Sequence, residues 1–159
     1  SLDSSISDEE EIMQLLTTTD YAVRIVYYVA EQRRMVNSTE IAQAMNVPLT
    51  VMGRIGRKLI AAGILTSQRG NTGGLALARK PRDITMADII YAVEDVCINR
   101  CLEPDHVCPR GAAETYPVHA FYAQMQDCLD TMLTGKTVES LLDDAANLTG
   151  KKLRPPRGA

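Results

Sequence analysis

The sequence predicts a mainly α fold with one small β-hairpin wing: a winged helix-turn-helix followed by a long C-terminal dimerisation helix. Three observations carry that expectation. Two apolar patterns of helical period flank Asn46-Val47-Pro48, a break with room only for a turn. Directly after the second pattern, two short β-type runs enclose the glycine-bearing stretch Gln68-Arg69-Gly70-Asn71-Thr72-Gly73-Gly74. Further on, Val118, Phe121, Tyr122, Met125, Leu129, Met132 and Leu133 recur at the spacing of one helix face.

Residues 1–14 are polar, acidic and aperiodic, and are expected to be disordered. A first helix should start near Thr19 or Asp20, with Ala22, Val23, Val26, Val29 and Ala30 inward. Arg33 and Arg34 suit its C-terminal end, where cations are favoured. Ser38 is the expected N-cap of a second helix that turns Ile41, Ala44 and Met45 inward. The residue before Pro48 is biased out of the helical region. The next helix should therefore run from about Pro48 to Ala62, burying Leu49, Met52, Ile55, Leu59 and Ile60, with Gly63 ending it. Ile64–Ser67 and Leu75–Ala78 read as the strands of the hairpin.

Thr85 is placed to cap a helix from Met86 to about Val96. The stretch 97–116 holds three Cys, shows little periodicity and reads as a loop. Pro117 opens the long helix, Lys136-Thr137 breaks it, and Val138–Leu148 forms a short terminal helix. Residues 15–82 would then be a winged DNA-binding domain, and 83–148 a linker helix, Cys loop and dimerisation helix. Residues 149–159 would be a flexible basic tail.

Trp is absent and Phe occurs once, so the core must be aliphatic and Met-rich. No apolar run approaches the roughly 20 residues that span a bilayer, and the acidic start lacks the basic and apolar regions of a secretory signal. No membrane association and a cytoplasmic location are expected. The net charge of −3 argues weakly against a polyanionic partner, but its distribution argues the other way. Arg24 to Arg82 holds ten Lys/Arg against two Asp/Glu, whereas Asp83 to Asn147 holds twelve Asp/Glu against three Lys/Arg. A basic module joined to an acidic one points to nucleic acid for the first and another task for the second.

In a helix-turn-helix the N-terminal residues of the second helix meet base edges in the major groove. Those positions are Thr50, Val51, Gly53 and Arg54. Arg54 is suited to a bidentate contact with guanine, and the methyl groups of Thr50 and Val51 to thymine. Arg57 and Lys58 are expected at phosphates, and Arg69, on the wing, at the minor groove or the backbone. Gly53 and Gly56 each cost a helix about 1 kcal/mol relative to Ala. They serve either close approach of the helix to another surface or packing against a neighbouring element.

Cys97, Cys101 and Cys108 lie in one loop and Cys128 stands apart. Such a cluster in a reducing compartment suggests metal, cluster or redox chemistry rather than structural disulfides. The spacing is not that of paired C-x-x-C zinc units. Three nearby thiols plus one remote ligand suit an iron–sulfur cluster, and a thiol switch or an inert loop remain open. An enzyme is disfavoured, because there is no C-x-x-C, no nucleotide-binding glycine motif and no Ser/His/Asp set. A winged helix that binds protein rather than DNA is disfavoured by the basic block.

Asp20-Tyr21-Ala22-Val23-Arg24, the stretch from Ala61 to Ala78 and Ile84-Thr85-Met86-Ala87-Asp88-Ile89-Ile90-Tyr91-Ala92-Val93 resemble the Rrf-two family of bacterial winged-helix transcriptional regulators, the IscR-, NsrR- and CymR-like proteins. Pro117-Val118-His119 adds to the likeness, which spans about Leu15 to Leu142. The resemblance implies a homodimer on double-stranded DNA with a two-fold-symmetric operator, and a long helix crossing between subunits. It implies base-reading roles at Thr50, Val51, Gly53, Arg54 and Arg69. It also implies an iron–sulfur cluster, 2Fe–2S or 4Fe–4S, in many members. Cys101 and Cys108 fall near two of the family's thiolate positions, but Tyr116 stands where the third is usual. Cys97 is the candidate replacement, with His119 or Asp20 as fourth ligand. Without a cluster, the signal would be a thiol switch, a small molecule or a protein.

Overall fold

The computed structural model describes residues 17–103 and 116–148. The expectations for residues 1–14, for the tail and for Cys108 lie outside the described residues.

The first helix, α1 (Thr17–Gln32), buries Ala22, Ile25, Val26, Val29 and Ala30 together with Thr19. Val23, expected inward, is only half-buried, because the stripe is centred on Ile25 and Val26. The helix ends at Arg33, whose φ is 52°. Arg34 reaches the Glu40 carboxylate at 2.5 Å instead of the last carbonyls of α1.

α2 (Ser38–Met45) is capped by Asn37, not Ser38: the Asn37 side-chain oxygen accepts the Glu40 N–H at 2.8 Å. The shift has a cause one residue earlier. The Val36 N–H donates to the Leu75 carbonyl at 2.9 Å, and the Val36 carbonyl accepts from the Leu75 N–H at 2.8 Å. That bridge holds the chain extended as far as Asn37, whose side chain is as good a cap as serine. Ala42 rather than Ala44 turns inward. Asn46 adopts φ 52° and Val47 N–H returns to the Ala42 carbonyl at 3.0 Å, which ends α2 and leaves a three-residue turn.

α3 (Leu49–Ala61) buries Met52, Ile55, Gly56 and Leu59. Leu49, expected in the core, is 56% exposed, since the first residue of the helix stands beyond the neighbours that cover the later turns. Gly63, at φ 71°, and the Ile64 N–H bond to the Leu59 carbonyl at 3.0 Å close the helix. The wing follows: β1 (Leu65–Gln68) pairs antiparallel with β2 (Gly74–Leu77), Leu65 facing Leu77 and Gln68 facing Gly74. Each strand lies one residue nearer the turn than expected. Ile64 is used in ending α3, and Gly74 joins the ladder at a φ of 152°, where a side chain is strained.

α4 (Met86–Val93) starts with a reciprocal cap: Thr85 Oγ1 accepts the Asp88 N–H at 3.1 Å, and the Asp88 carboxylate accepts the Thr85 N–H at 2.9 Å. It stops three residues short of the expected Val96. Lys58 Nζ donates to the Val93 carbonyl at 2.8 Å, Glu94 is extended, and the Glu94 carboxylate accepts from the buried Thr19 hydroxyl. These contacts satisfy the end of α4.

A 3-10 turn at Arg100–Leu102 precedes α5 (Pro117–Gly135), and α6 (Val138–Leu148) follows. Between α5 and α6 the chain crosses back to the start of α4, with Met86 N–H on the Lys136 carbonyl at 2.8 Å and Val138 N–H on the Ile84 carbonyl at 2.9 Å. Val138 thereby enters the core built by α1 to α4 and the wing. That core is aliphatic, as expected, but not rich in methionine: among the described residues only Met52 is buried in it. α5 contributes no buried residue to it: Phe121 is 57% and Met132 71% exposed.

Candidate nucleic-acid interface

α3 has two faces. Met52, Ile55, Gly56 and Leu59 follow the i, i+3, i+4, i+7 rhythm and face the core. Thr50, Gly53, Arg54 and Arg57 follow the same rhythm and face solvent. One helix thus presents a stripe of a hydroxyl, a bare backbone and two guanidinium groups. Val51 sits between the faces, half-buried against the core. Arg54 and Arg57 make no hydrogen bond or ion pair with another described residue.

The two glycines do different things. A Cβ on Gly56 would meet the Leu75 side chain of the wing at 3.9 Å, so this glycine lies at the α3–wing contact, in the interior. Gly53 is exposed, and a Cβ there would meet only the Arg57 guanidinium at 3.6 Å. Gly53 is the position where the α3 backbone is open to a close approach from outside.

Lys58 is exposed, but its ammonium is held by the Val93 carbonyl. An ammonium carries three donors, so two remain. Arg69 is exposed directly after β1, at the wing turn, and has no partner among the described residues. Gly73 closes this turn tightly: its N–H bonds the Gly70 carbonyl at 3.0 Å, and a Cβ on it would stand 2.2 Å from the Gln68 carbonyl oxygen.

On the other side of α4, Cys97 is exposed and Cys101 half-buried. The Cys97 thiol donates to the Asn99 carbonyl at 3.1 Å, and Asn99 Oδ1 accepts the Cys101 N–H at 3.0 Å. Gln126 of α5 grips the same loop twice, donating to the Val96 carbonyl at 3.1 Å and accepting the Ile98 N–H at 2.8 Å. Its amide also donates to Asp130, which accepts from the Tyr91 hydroxyl. Burial and the Asp130 carboxylate push the Tyr91 phenol up to about 12. Asp20 forms an ion pair with Arg24 at 2.5 Å, and His119 lies in the first turn of α5.

A model of the Rrf2 family, described as "Iron-dependent Transcriptional regulator", matches residues 15–144. The chain belongs to the Rrf2 family. It is 33% identical over 103 residues to the protein rrf2 of Nitratidesulfovibrio vulgaris (strain Hildenborough), covering 63% of this chain and 69% of that protein. In fold it is similar to T. potens IscR, with a TM-score of 0.70 and 23% identity over 90% of this chain and 94% of that one. It is also similar to CymR, the global cysteine regulator of B. subtilis, with a TM-score of 0.68 and 24% identity over 82% and 96% of the two chains. This Rrf2 protein is therefore a DNA-binding transcriptional regulator of winged-helix fold, and its relatives are regulators rather than enzymes. No helix among the described residues is long and apolar enough to cross a membrane.

The Rrf2 site also contains contacts that sequence reasoning passed over. Val36 fastens the wing, Lys58 joins α3 to α4, and Gln126 joins the Cys loop to α5. The last two were hidden because a polar side chain on a surface helix gives no sign of the distant backbone it will meet. Among the described residues no three His, Cys, Asp or Glu stand together, and the Asp20 carboxylate is occupied by Arg24.

Proposed function

We propose that this Rrf2 protein binds duplex DNA as a homodimer on a two-fold-symmetric operator, and that its Cys loop makes this binding responsive to redox state or iron–sulfur status. The observation that carries the DNA half is the solvent stripe of α3. Thr50, Val51, Gly53 and Arg54 would meet base edges, Gly53 letting the backbone come close. Arg57 and the two uncommitted donors of Lys58 would meet phosphates, and Arg69 would enter the minor groove or touch the flanking backbone. Guanidinium groups without protein partners suit such contacts, because no internal ion pair is given up on binding. The apolar surface left open on α5 supports the dimer, which would place two copies of α3 at successive major grooves.

The sensing half rests on position. Cys97 and Cys101 stand between α4, which is joined to α3 through Lys58, and α5, which grips the loop through Gln126. The candidate cluster ligands are Cys97, Cys101, Cys108, His119 and Asp20. A cluster would draw on Cys97, Cys101 and Cys108 as thiolates, with His119 or Asp20 as the fourth ligand. A thiol switch has the support of the exposed Cys97 thiol. The family description as iron-dependent favours the cluster.

The test begins with selection of a binding site from a pool of random duplexes. Affinity for that site and for a scrambled one is then measured by fluorescence anisotropy across a salt series. Arg54→Ala should weaken the selected site by about 1–3 kcal/mol and relax its preference at one base position. Equal loss on both duplexes would make Arg54 a phosphate contact only. The variant with Cys97, Cys101 and Cys108 all changed to Ser should lose the response to mild oxidation or to anaerobic iron and sulfide loading. If wild type holds no iron and both proteins bind DNA identically under all conditions, the loop is not the sensor.

A further inference from the structure

A cavity of about 600 Å³ lies on the face where the end of α1, the return strand of the wing and α6 come together. Its apolar lining includes Val29, Ala30, Ala76, Leu77 and Leu142. Val29 and Ala30 belong to the core, whereas Ala76, Leu77 and Leu142 are half-buried, so apolar surface is left uncovered here. The volume and lining are those of a small-molecule site, which is concave, mostly apolar and carries a few polar groups.

The charges around the cavity are unequal in what they have left to offer. Arg34 is spent on Glu40, whose two carboxylate oxygens it reaches at 2.5 and 3.2 Å. Arg79 is spent on the carbonyls of Gly63 and Asp83 at 3.2 and 3.1 Å and on the Asp88 carboxylate at 3.6 Å. Glu139 and Asp143, one turn apart on α6, have no ion-pair or hydrogen-bond partner among the described residues. Like charges at that spacing repel. Arg33 is the remaining cation of the lining, and it also borders a smaller cavity of about 300 Å³ that it shares with Glu31. The uncommitted charge at this face is therefore negative over an apolar floor.

We propose that this cavity binds a small organic cation, an apolar body carrying a protonated amine, with the body on Val29, Ala76 and Leu142 and the ammonium between Glu139 and Asp143. An anionic ligand would meet two uncommitted carboxylates for one guanidinium. A ligand held between β2 and α6 binds best at one spacing of the wing and the C-terminal helix. Through the wing it is then linked to DNA affinity, and the linkage is reciprocal. That coupling rests on the DNA-binding reading above, but occupancy of the cavity does not.

The experiment uses the full chain and three probes with one apolar body: 4-phenylbutylamine, 4-phenylbutanol and 4-phenylbutyrate, which are cationic, neutral and anionic at neutral pH. Binding without DNA is followed by chemical-shift changes at Ala30, Ala76 and Leu142. The amine should bind about 3–10-fold more tightly than the butyrate, as expected for ion pairs at a partly exposed rim. The double variant Glu139→Gln, Asp143→Asn should erase that preference while the alcohol binds as before. Leu142→Trp, checked for folding by its thermal melt, fills the cavity and should abolish binding of all three. No binding of any probe, butyrate binding as well as amine, or unchanged binding in Leu142→Trp overturns the site. If the amine binds but leaves affinity for the selected duplex unchanged, the effector role falls.

Discussion

Gly74→Ala should be among the most damaging single changes in the wing, and the structure sets its size. A Cβ at this position would stand 2.3 Å from the Val36 carbonyl oxygen and 2.6 Å from the Val36 carbonyl carbon. Both are backbone atoms, so no flexible side chain can move aside. β2 would have to leave Val36, breaking the two Val36–Leu75 backbone bonds of 2.8 and 2.9 Å. Two such bonds contribute about 1–3 kcal/mol net. A non-glycine residue held at a φ of 152° costs about 1–3 kcal/mol more. The sum is about 2–6 kcal/mol, or a fall in melting temperature of roughly 5–20 °C for a chain of this size. Gly70→Ala is the matched control: φ is +113° but no atom lies within 4 Å, so only the conformational cost applies. Thermal melts by circular dichroism compare the two. If Gly74→Ala melts no lower than Gly70→Ala, the close approach of Val36 is not what fixes the wing.

Met125→Glu places a charge in the apolar stripe of α5, where burial against a second subunit without a partner is costly; sedimentation should show dissociation, and an unchanged dimer would remove α5 from the interface. Tyr91 has a folded-state pKa of about 12 against an ordinary 10.0, so the stability it confers is complete below pH 10 and lost as pH rises towards 12. The phenolate absorbance of wild type minus that of Tyr91→Phe should rise late, and a midpoint near 10 would show that Asp130 does not hold the proton. Asn37→Ala should cost about 0.5–2 kcal/mol by denaturant titration while Ser38→Ala costs little, and the reverse order would return the cap of α2 to Ser38.

The helices were legible because their apolar residues repeat every turn and the ends carry chemistry that acts within three residues: Thr85 with Asp88, Gly63 after Ala61. The wing was legible from its glycines. The failures share a physical origin in contacts between distant segments. Asn37 displaced Ser38 because Val36 was already bonded to β2. α4 ended early because Lys58, 35 residues away in sequence, met its last carbonyl. Of the candidate DNA-contacting residues, periodicity alone put Thr50, Gly53, Arg54 and Arg57 on one face. That Val51 is half-buried and that the Lys58 ammonium is engaged depended on neighbours no local pattern names.

Gln126 stands at the midpoint of α5 and touches the peptide groups on both sides of Cys97. One amide plays donor and acceptor to the same short segment, as a neighbouring β-strand would. The two bonded peptides meet at the Cys97 α-carbon, so the segment is pinned on both sides of that residue by one side chain, like a two-pin plug. Because the socket is at the centre of the helix, a shift of the Cys97 segment that keeps both bonds would carry the middle of α5 with it rather than one end.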